Sequence, residues 1–147
     1  ETMYWVMKMT IITREISFQT SGNVDIINIT DKVAEFLRES QPNNGIVTIF
    51  VPGSTGAITT IEYEPGLLED TKNALERMMP QGIEYKHNIR WGDGNGHSHV
   101  RASMMGPSLT VPFSNKKLLT GTWQQIVFID LDVRPRSRRI IVQIMGE

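Results

Sequence analysis

The chain's three histidines fall close together: His87, then His97 and His99 flanking a single serine. Between them runs Gly92-Asp93-Gly94-Asn95-Gly96, which offers a carboxylate and the glycines of a tight turn. Neutral imidazole nitrogen and carboxylate oxygen are ligands for zinc and other divalent ions. Such a set with an open position suits Lewis-acid chemistry. There is no cysteine, so any metal centre must be built from nitrogen and oxygen alone. His87, His97, His99 and Asp93 are the candidate ligands of a divalent metal, zinc or magnesium. A His-x-His pair also arises by chance on ordinary surfaces, and the clustering of all three histidines adds only modestly to the metal reading.

Further candidates are acidic and basic. Glu64 closes the stretch TTIEYE, and Asp70 stands in the first turn of the helix that follows. His99 or Glu64 could act as general base toward water. Asp70 has an electrostatic alternative, interaction with a helix dipole. In IVFIDLD, Asp130 and Asp132 follow apolar residues on one strand face and need a partner if buried. Arg136, Arg138 and Arg139 are near enough in sequence to supply it across a hairpin; anion binding is the sharper alternative. Arg101 could meet phosphate, Arg139 could add to it, and Ser108 could contribute a hydroxyl. The glycine-rich PGSTGAITT could cradle phosphate with its amides, but it lacks both the P-loop and the dinucleotide patterns.

These residues need elements to hold them. Tyr4 to Thr20 reads as one long or broken strand and Asp25 to Ile29 as its extension. Thr30 or Asp31 is the expected N-cap of a short helix over 31–40. GIVTIFV, residues 45–51, reads as a strand buried on both faces. Ile58 to Tyr63 is a strand, and Leu67 to Met79 a second helix ending near Pro80. The rest reads as strand and turn: Glu84–Ile89, Ser98–Met105, Ser108–Pro112, Gln124–Asp132 and Arg139–Met145. If residues 98–105 are extended, His97, His99, Arg101 and Ser103 share one face. The two imidazoles then lie roughly 6 to 7 Å apart. The GDGNG turn folds His87 back beside His99. The expected class is α+β: a strand-rich, sandwich-like single domain over residues 1–147 with two main helices. A second sheet or neighbouring subunits must cover the sheet face that so few helices leave open.

The series Tyr85-Lys86-His87-Asn88, Asn95-Gly96-His97-Ser98-His99, SMMGPSLTVP (103–112), GTWQQI (121–126) and Arg136 closely resembles the YjbQ family, labelled secondary thiamine-phosphate synthase. TGAITTIEYEPGLLEDTKNALERMMP (55–80) resembles that family's glutamate-bearing strand and aspartate-bearing helix. The resemblance implies a compact α+β homotrimer whose cleft holds histidines and acidic residues. It also implies a weak activity that joins a pyrimidine diphosphate to a thiazole phosphate and releases pyrophosphate. His87 and His99 match the family pattern best, while some relatives carry another residue at His97. Glu64 and Asp70 match acidic family positions, Asp93 falls where an acidic residue is frequent, and Asp130 stands where relatives often have glutamate.

Composition bounds the remaining possibilities. The net charge is −1, so no general attraction to nucleic acid is expected. No apolar run approaches the roughly 18 residues of a membrane span, no signal-peptide pattern opens the chain, and the expected compartment is cytoplasmic. The expected partner is a phosphorylated small molecule. The expected function is a metal-dependent enzyme acting on it. The alternatives are a metal-assisted hydrolase and a non-catalytic ligand-binding protein.

Overall fold

The computed structural model describes residues 6–147. The strand expected over Tyr4–Thr20 therefore starts outside the described residues, and its described part, β1, runs Thr10–Thr20. There follow β2 (Asp25–Asn28), α1 (Thr30–Glu39), β3 (Gly45–Phe50), β4 (Gly56–Ile61), α2 (Pro65–Met78), α3 (Lys86–Trp91), α4 (Gly96–Met105), β5 (Ser108–Ser114), β6 (Lys117–Leu118), β7 (Gln125–Asp130) and β8 (Arg136–Gly146).

Alternation builds two antiparallel sheets from these strands. A five-stranded sheet has the order β1-β8-β3-β5-β6, and a three-stranded sheet the order β2-β7-β4. Val47 and Ile49 of β3 and Ile140, Val142 and Ile144 of β8 point from the larger sheet into the same core as Ile126 and Phe128 of β7. Val33 and Leu37, four apart on α1, seal that core from one side. The other face of β7, Val127 and Ile129, packs with Leu75 of α2 and Ala102 of α4. The strand buried on both faces is therefore β7, not β3. The alternate residues of β3, among them Phe50, are exposed or half-buried because they look outward from the larger sheet. The face the helices leave open is covered by a second sheet of the same chain.

Among the described residues the two expected helices, α1 and α2, are joined by two more, α3 and α4, and the class is strand-rich α+β. Residues 84–89 and 98–105 are not strands. In α4 the buried residues, among them His97, Ser98, Arg101 and Ala102, follow helical spacing, not alternation. Ala102, Arg101, Met104 and Met105 are strong helix formers, and over so short a window the apolar pattern fits either period. The N-cap of α1 is Ile29 rather than Thr30 or Asp31, with the Asn28 Oδ1 accepting the Thr30 amide at 3.1 Å. Among the described residues no helix is long and apolar enough to cross a membrane.

Candidate metal and anion site

The short helix α3 carries His87 on its first turn and stops at Gly92, whose φ of +65° is the left-handed C-cap that glycine favours. The chain then turns through Asp93 and enters α4 at Gly96. A Cβ at Gly96 would stand 2.5 Å from the Tyr85 Cβ, so only glycine lets α4 begin this close to the start of α3. The Gly96 amide donates to the Asn88 Oδ1 at 2.8 Å and ties the two helices together. One turn into α4, His99 faces back toward α3.

The result is a tight three-residue cluster. The His87 and His99 ring centroids are 4.5 Å apart. His87 Nδ1 lies 3.3 Å from Asp93 Oδ1. One ligand atom from each of His87, Asp93 and His99 can be chosen so that all lie within 4.8 Å of one another. Asp93 Oδ1 also accepts the Asn95 amide at 3.1 Å, which fixes the carboxylate. His87 Nδ1 is buried, yet its approach to Asp93 lacks hydrogen-bond geometry, so it has no partner of that kind. A buried nitrogen without a partner is costly unless something else satisfies it. Its 3.3 Å separation from a carboxylate oxygen is about the edge of a tetrahedron with bonds of roughly 2.0 Å. The donor set and this orphaned nitrogen fit a divalent ion such as zinc.

Beside the cluster lies a polar cavity of about 290 Å³, lined by Asp93, His99, Ser54, Asp132, Arg136 and Arg138 among others. Its floor is a network of carboxylates and guanidiniums. Asp130, fully buried, takes a fork of two 2.8 Å bonds from Arg138 Nε and Nη2, and Thr20 donates to it as well. Asp132, also fully buried, accepts from Arg136 Nε at 3.1 Å and Nη2 at 2.9 Å. Burial pushes the Asp132 carboxyl up, but bonds from Arg136, the Arg134 amide, Asn95 and Thr55 outweigh it and hold it below the usual value. Asn95 also accepts the Val133 amide at 3.3 Å and so joins the histidine loop to this network. Neither Arg136 nor Arg138 uses its Nη1 in a hydrogen bond among the described residues. The cavity thus sets guanidinium donors beside a histidine–carboxylate cluster, an arrangement suited to an anion held next to a cation.

The comparisons with known proteins agree over nearly the whole chain. The family described as UPF0047 protein YjbQ-like matches residues 14–147. The chain belongs to the YjbQ family. A UPF0047 protein of Methanothermobacter thermautotrophicus is 42% identical over 139 residues, which is 95% of each chain. One from Archaeoglobus fulgidus is 39% identical over 88% of this chain and 98% of its own. Among solved structures, a YbjQ-like protein of unknown function from Sulfolobus solfataricus superposes with a TM-score of 0.90 at 35% identity, covering 95% of this chain and all of that one. A hypothetical protein from Aeropyrum pernix gives a TM-score of 0.85 at 31% identity, over 92% of this chain and 99% of its own.

Within this YjbQ chain the residues singled out in the sequence are sorted into different places. His87, His99 and Asp93 come together, but by facing helices rather than by a shared strand face. His97 does not join them. It is buried against Tyr85, with ring centroids 6.3 Å apart, and its Nδ1 has no partner. Burial holds its pKa below the ordinary imidazole value; nearby Arg101 adds to this and Glu76 opposes it. Arg101 is also buried and faces away from His99. It donates to Glu76 at 2.9 Å and to the Met79 carbonyl at 2.9 Å, bracing α4 against α2. Glu64 is the N-cap of α2, accepting the Gly66 and Leu67 amides at 2.8 Å each; those bonds lower its pKa. Asp70 is exposed on α2, Ser108 is exposed at the start of β5, and Arg139 pairs with Glu15 on the larger sheet. Asp130 sits beneath the cavity, bound to Arg138. Arg138 and Asp132 also line the cavity, Arg138 being a residue for which the sequence offers both structural pairing and anion binding. The signal for each is a spacing of two from a chosen residue: Arg138 from Arg136 on β8, and Asp132 from Asp130 just past the end of β7.

Proposed function

We propose that this YjbQ protein is a metal-dependent enzyme acting on phosphorylated small molecules. The observation that carries the reading is the shared cavity: His99 and Asp93 line it with Arg136 and Arg138. A divalent ion bound by His87, Asp93 and His99 would supply positive charge and Lewis acidity next to a phosphoryl oxygen. Arg136 and Arg138 hold the anionic group through guanidinium nitrogens not committed to Asp132 and Asp130. Those carboxylates fix where the guanidiniums point, so no reorganisation is needed when charge develops on the leaving group. Thiamine-phosphate formation, in which pyrophosphate leaves the pyrimidine's methylene carbon with its bonding electrons as the thiazole nitrogen bonds there, is the specific member of this class that the family resemblance favours. The assembly we propose is a homotrimer, and the compartment cytoplasmic.

The test is to measure metal in the purified protein and incubate it with a panel of phosphorylated compounds while assaying phosphate and pyrophosphate. Pyrophosphate release only with both thiamine precursors supports the synthase. Phosphate release from one substrate alone makes the protein a hydrolase. Neither release, with a saturable thermal shift, leaves a ligand-binding protein and removes the enzymatic reading.

A further inference from the structure

Asn95 stands at the N-cap of α4, where an asparagine ordinarily turns its side chain back to accept the helix's first free amides. Here it makes no such bond. The residue is 4% exposed and its side chain reaches the other way. Oδ1 accepts the Val133 amide at 3.3 Å, and the side-chain amide is one of the groups that hold the Asp132 carboxyl below its usual value. The main chain of Asn95 meanwhile serves the histidine cluster. Its amide donates to Asp93 Oδ1 at 3.1 Å, and its carbonyl accepts the His99 amide at 3.1 Å. One residue thus holds two of the three candidate metal ligands through its backbone and the turn before β8 through its side chain. That turn, residues 131–135, has two other supports. The Thr55 carbonyl accepts the Leu131 amide at 2.9 Å, and the Asn23 amide donates to the Asp132 carbonyl at 2.7 Å. Neither comes from the histidine loop. Among the described residues no other hydrogen bond joins loop 92–96 to this turn. A Cβ at Gly92 or Gly94 would stand in open space, so packing does not hold the loop in place on that side.

We infer that Asn95 is a positioning residue that couples the histidine–carboxylate cluster to the arginine wall, so that a divalent cation and an anion bind cooperatively. A cation held by Asp93 and His99 fixes the backbone on both sides of Asn95. The Asn95 side chain then steadies the turn from which Asp132 aims the Arg136 guanidinium through Nε and Nη2. An anion arriving next meets donors already in place and loses less in ordering them. By linkage, an anion at Arg136 tightens the cation by the same factor. The inference rests on the proposed reading of the site and adds how its two halves communicate. It makes the metal-loaded protein the form that takes up the anionic group.

The experiment titrates inorganic phosphate into the chelator-treated protein and into the protein carrying one equivalent of zinc, by calorimetry. The ratio of the two dissociation constants is the coupling factor, expected to be at least about tenfold in the wild type. In Asn95→Ala it is expected to fall by at least about threefold; the direct attraction of cation for anion, which needs no link through the protein, remains. Zinc affinity measured without phosphate should stay within about threefold because both backbone bonds persist, whereas losing a ligand's support costs about 10- to 100-fold. A loss of folding stability alone moves both phosphate affinities together and leaves their ratio unchanged. Asn95→Ser, whose hydroxyl is too short to reach Val133, is expected to behave alike and decides the matter should Asn95→Ala fail to give the wild-type circular dichroism. No coupling in the wild type, or wild-type coupling in a folded variant, overturns the inference and leaves the metal and phosphate reading standing. So does a variant whose zinc affinity collapses without phosphate, since Asn95 would then only brace the metal ligands. Zinc binding with no phosphate binding overturns the phosphate reading, and absence of zinc binding the metal reading, each taking this inference with it.

Discussion

His99 on α4 and His87 on α3 hold their ring centroids 4.5 Å apart, with Asp93 in the connecting turn 3.3 Å from His87 Nδ1. Two short helices and a glycine-bounded turn create this relationship, and the neighbouring Asp132–Arg136 and Asp130–Arg138 pairs set a wall of guanidiniums beside it. The expected consequences can each be measured.

The two arginines should separate on substitution. Arg136 is half-exposed and Arg138 nearly buried. Arg136→Gln removes a charge-assisted contact to the ligand and should raise KM for a phosphorylated substrate about 10- to 100-fold. It should also lower the melting temperature, because Asp132 is buried, but by less than the Arg138 variant, since Arg136 is half-exposed and Asp132 keeps its bonds from Thr55 and the Arg134 amide. Arg138→Gln leaves Asp130 buried without its counter-charge and should cost about 3–5 kcal/mol of stability. Denaturant titration of both variants checks the order; destabilisation by Arg136→Gln equal to or greater than that by Arg138→Gln would contradict it.

His97 should make stability depend on pH. Its folded pKa lies below the ordinary 6.5 because burial disfavours the imidazolium. Below pH 6.5 the unfolded chain therefore binds a proton that the folded chain resists, and stability falls as pH drops from 6.5 toward the folded pKa. Above 6.5 both states are neutral and the effect vanishes. Thermal melts in a chelator from pH 7.5 to 5.5 should show this fall for the wild type and a shallower one for His97→Gln.

Gly96→Ala should destabilise despite the better helix propensity of alanine. The propensity gain is about 1 kcal/mol at most. The added Cβ meets Tyr85 Cβ at 2.5 Å and Cγ at 2.8 Å, where something must shift. Such overpacking costs about 1–3 kcal/mol. Because the shift separates α4 from α3, zinc affinity should fall with stability, measured on the same sample by competition with a chromogenic chelator.

Glu64→Ala should lower the melting temperature modestly, because the Gly66 and Leu67 amides lose their acceptor. Turnover should be unchanged if capping is its whole role. Loss of turnover in a folded Glu64→Ala protein would restore it as a reacting group.

Much of the fold was legible because alternation and turn chemistry agreed. The glycines and Pro42 ended elements where expected, and the acidic pair in IVFIDLD found arginines from the expected hairpin. The misreadings have one physical source. HSHVRASM alternates polar and apolar, yet it also places His97 and Arg101 at i and i+4, and a single short segment cannot decide between the periods. The helical answer came from tertiary packing, as Ala102 fills the outer face of the three-stranded sheet. That choice removed His97 and Arg101 from the site and kept His99 in it. His87, Asp93 and His99 still met because the turn between them, not the strand, brings them together.

The proposed chemistry requires His87, Asp93 and His99 to bind one divalent ion. Titrating zinc into chelator-treated wild type, His99→Ala and His97→Ala by calorimetry tests it most directly. The expected result is one site per chain in the wild type, at least about a hundredfold weaker binding in His99→Ala, and near wild-type affinity in a folded His97→Ala. Wild-type affinity in His99→Ala, or loss confined to His97→Ala, would contradict it.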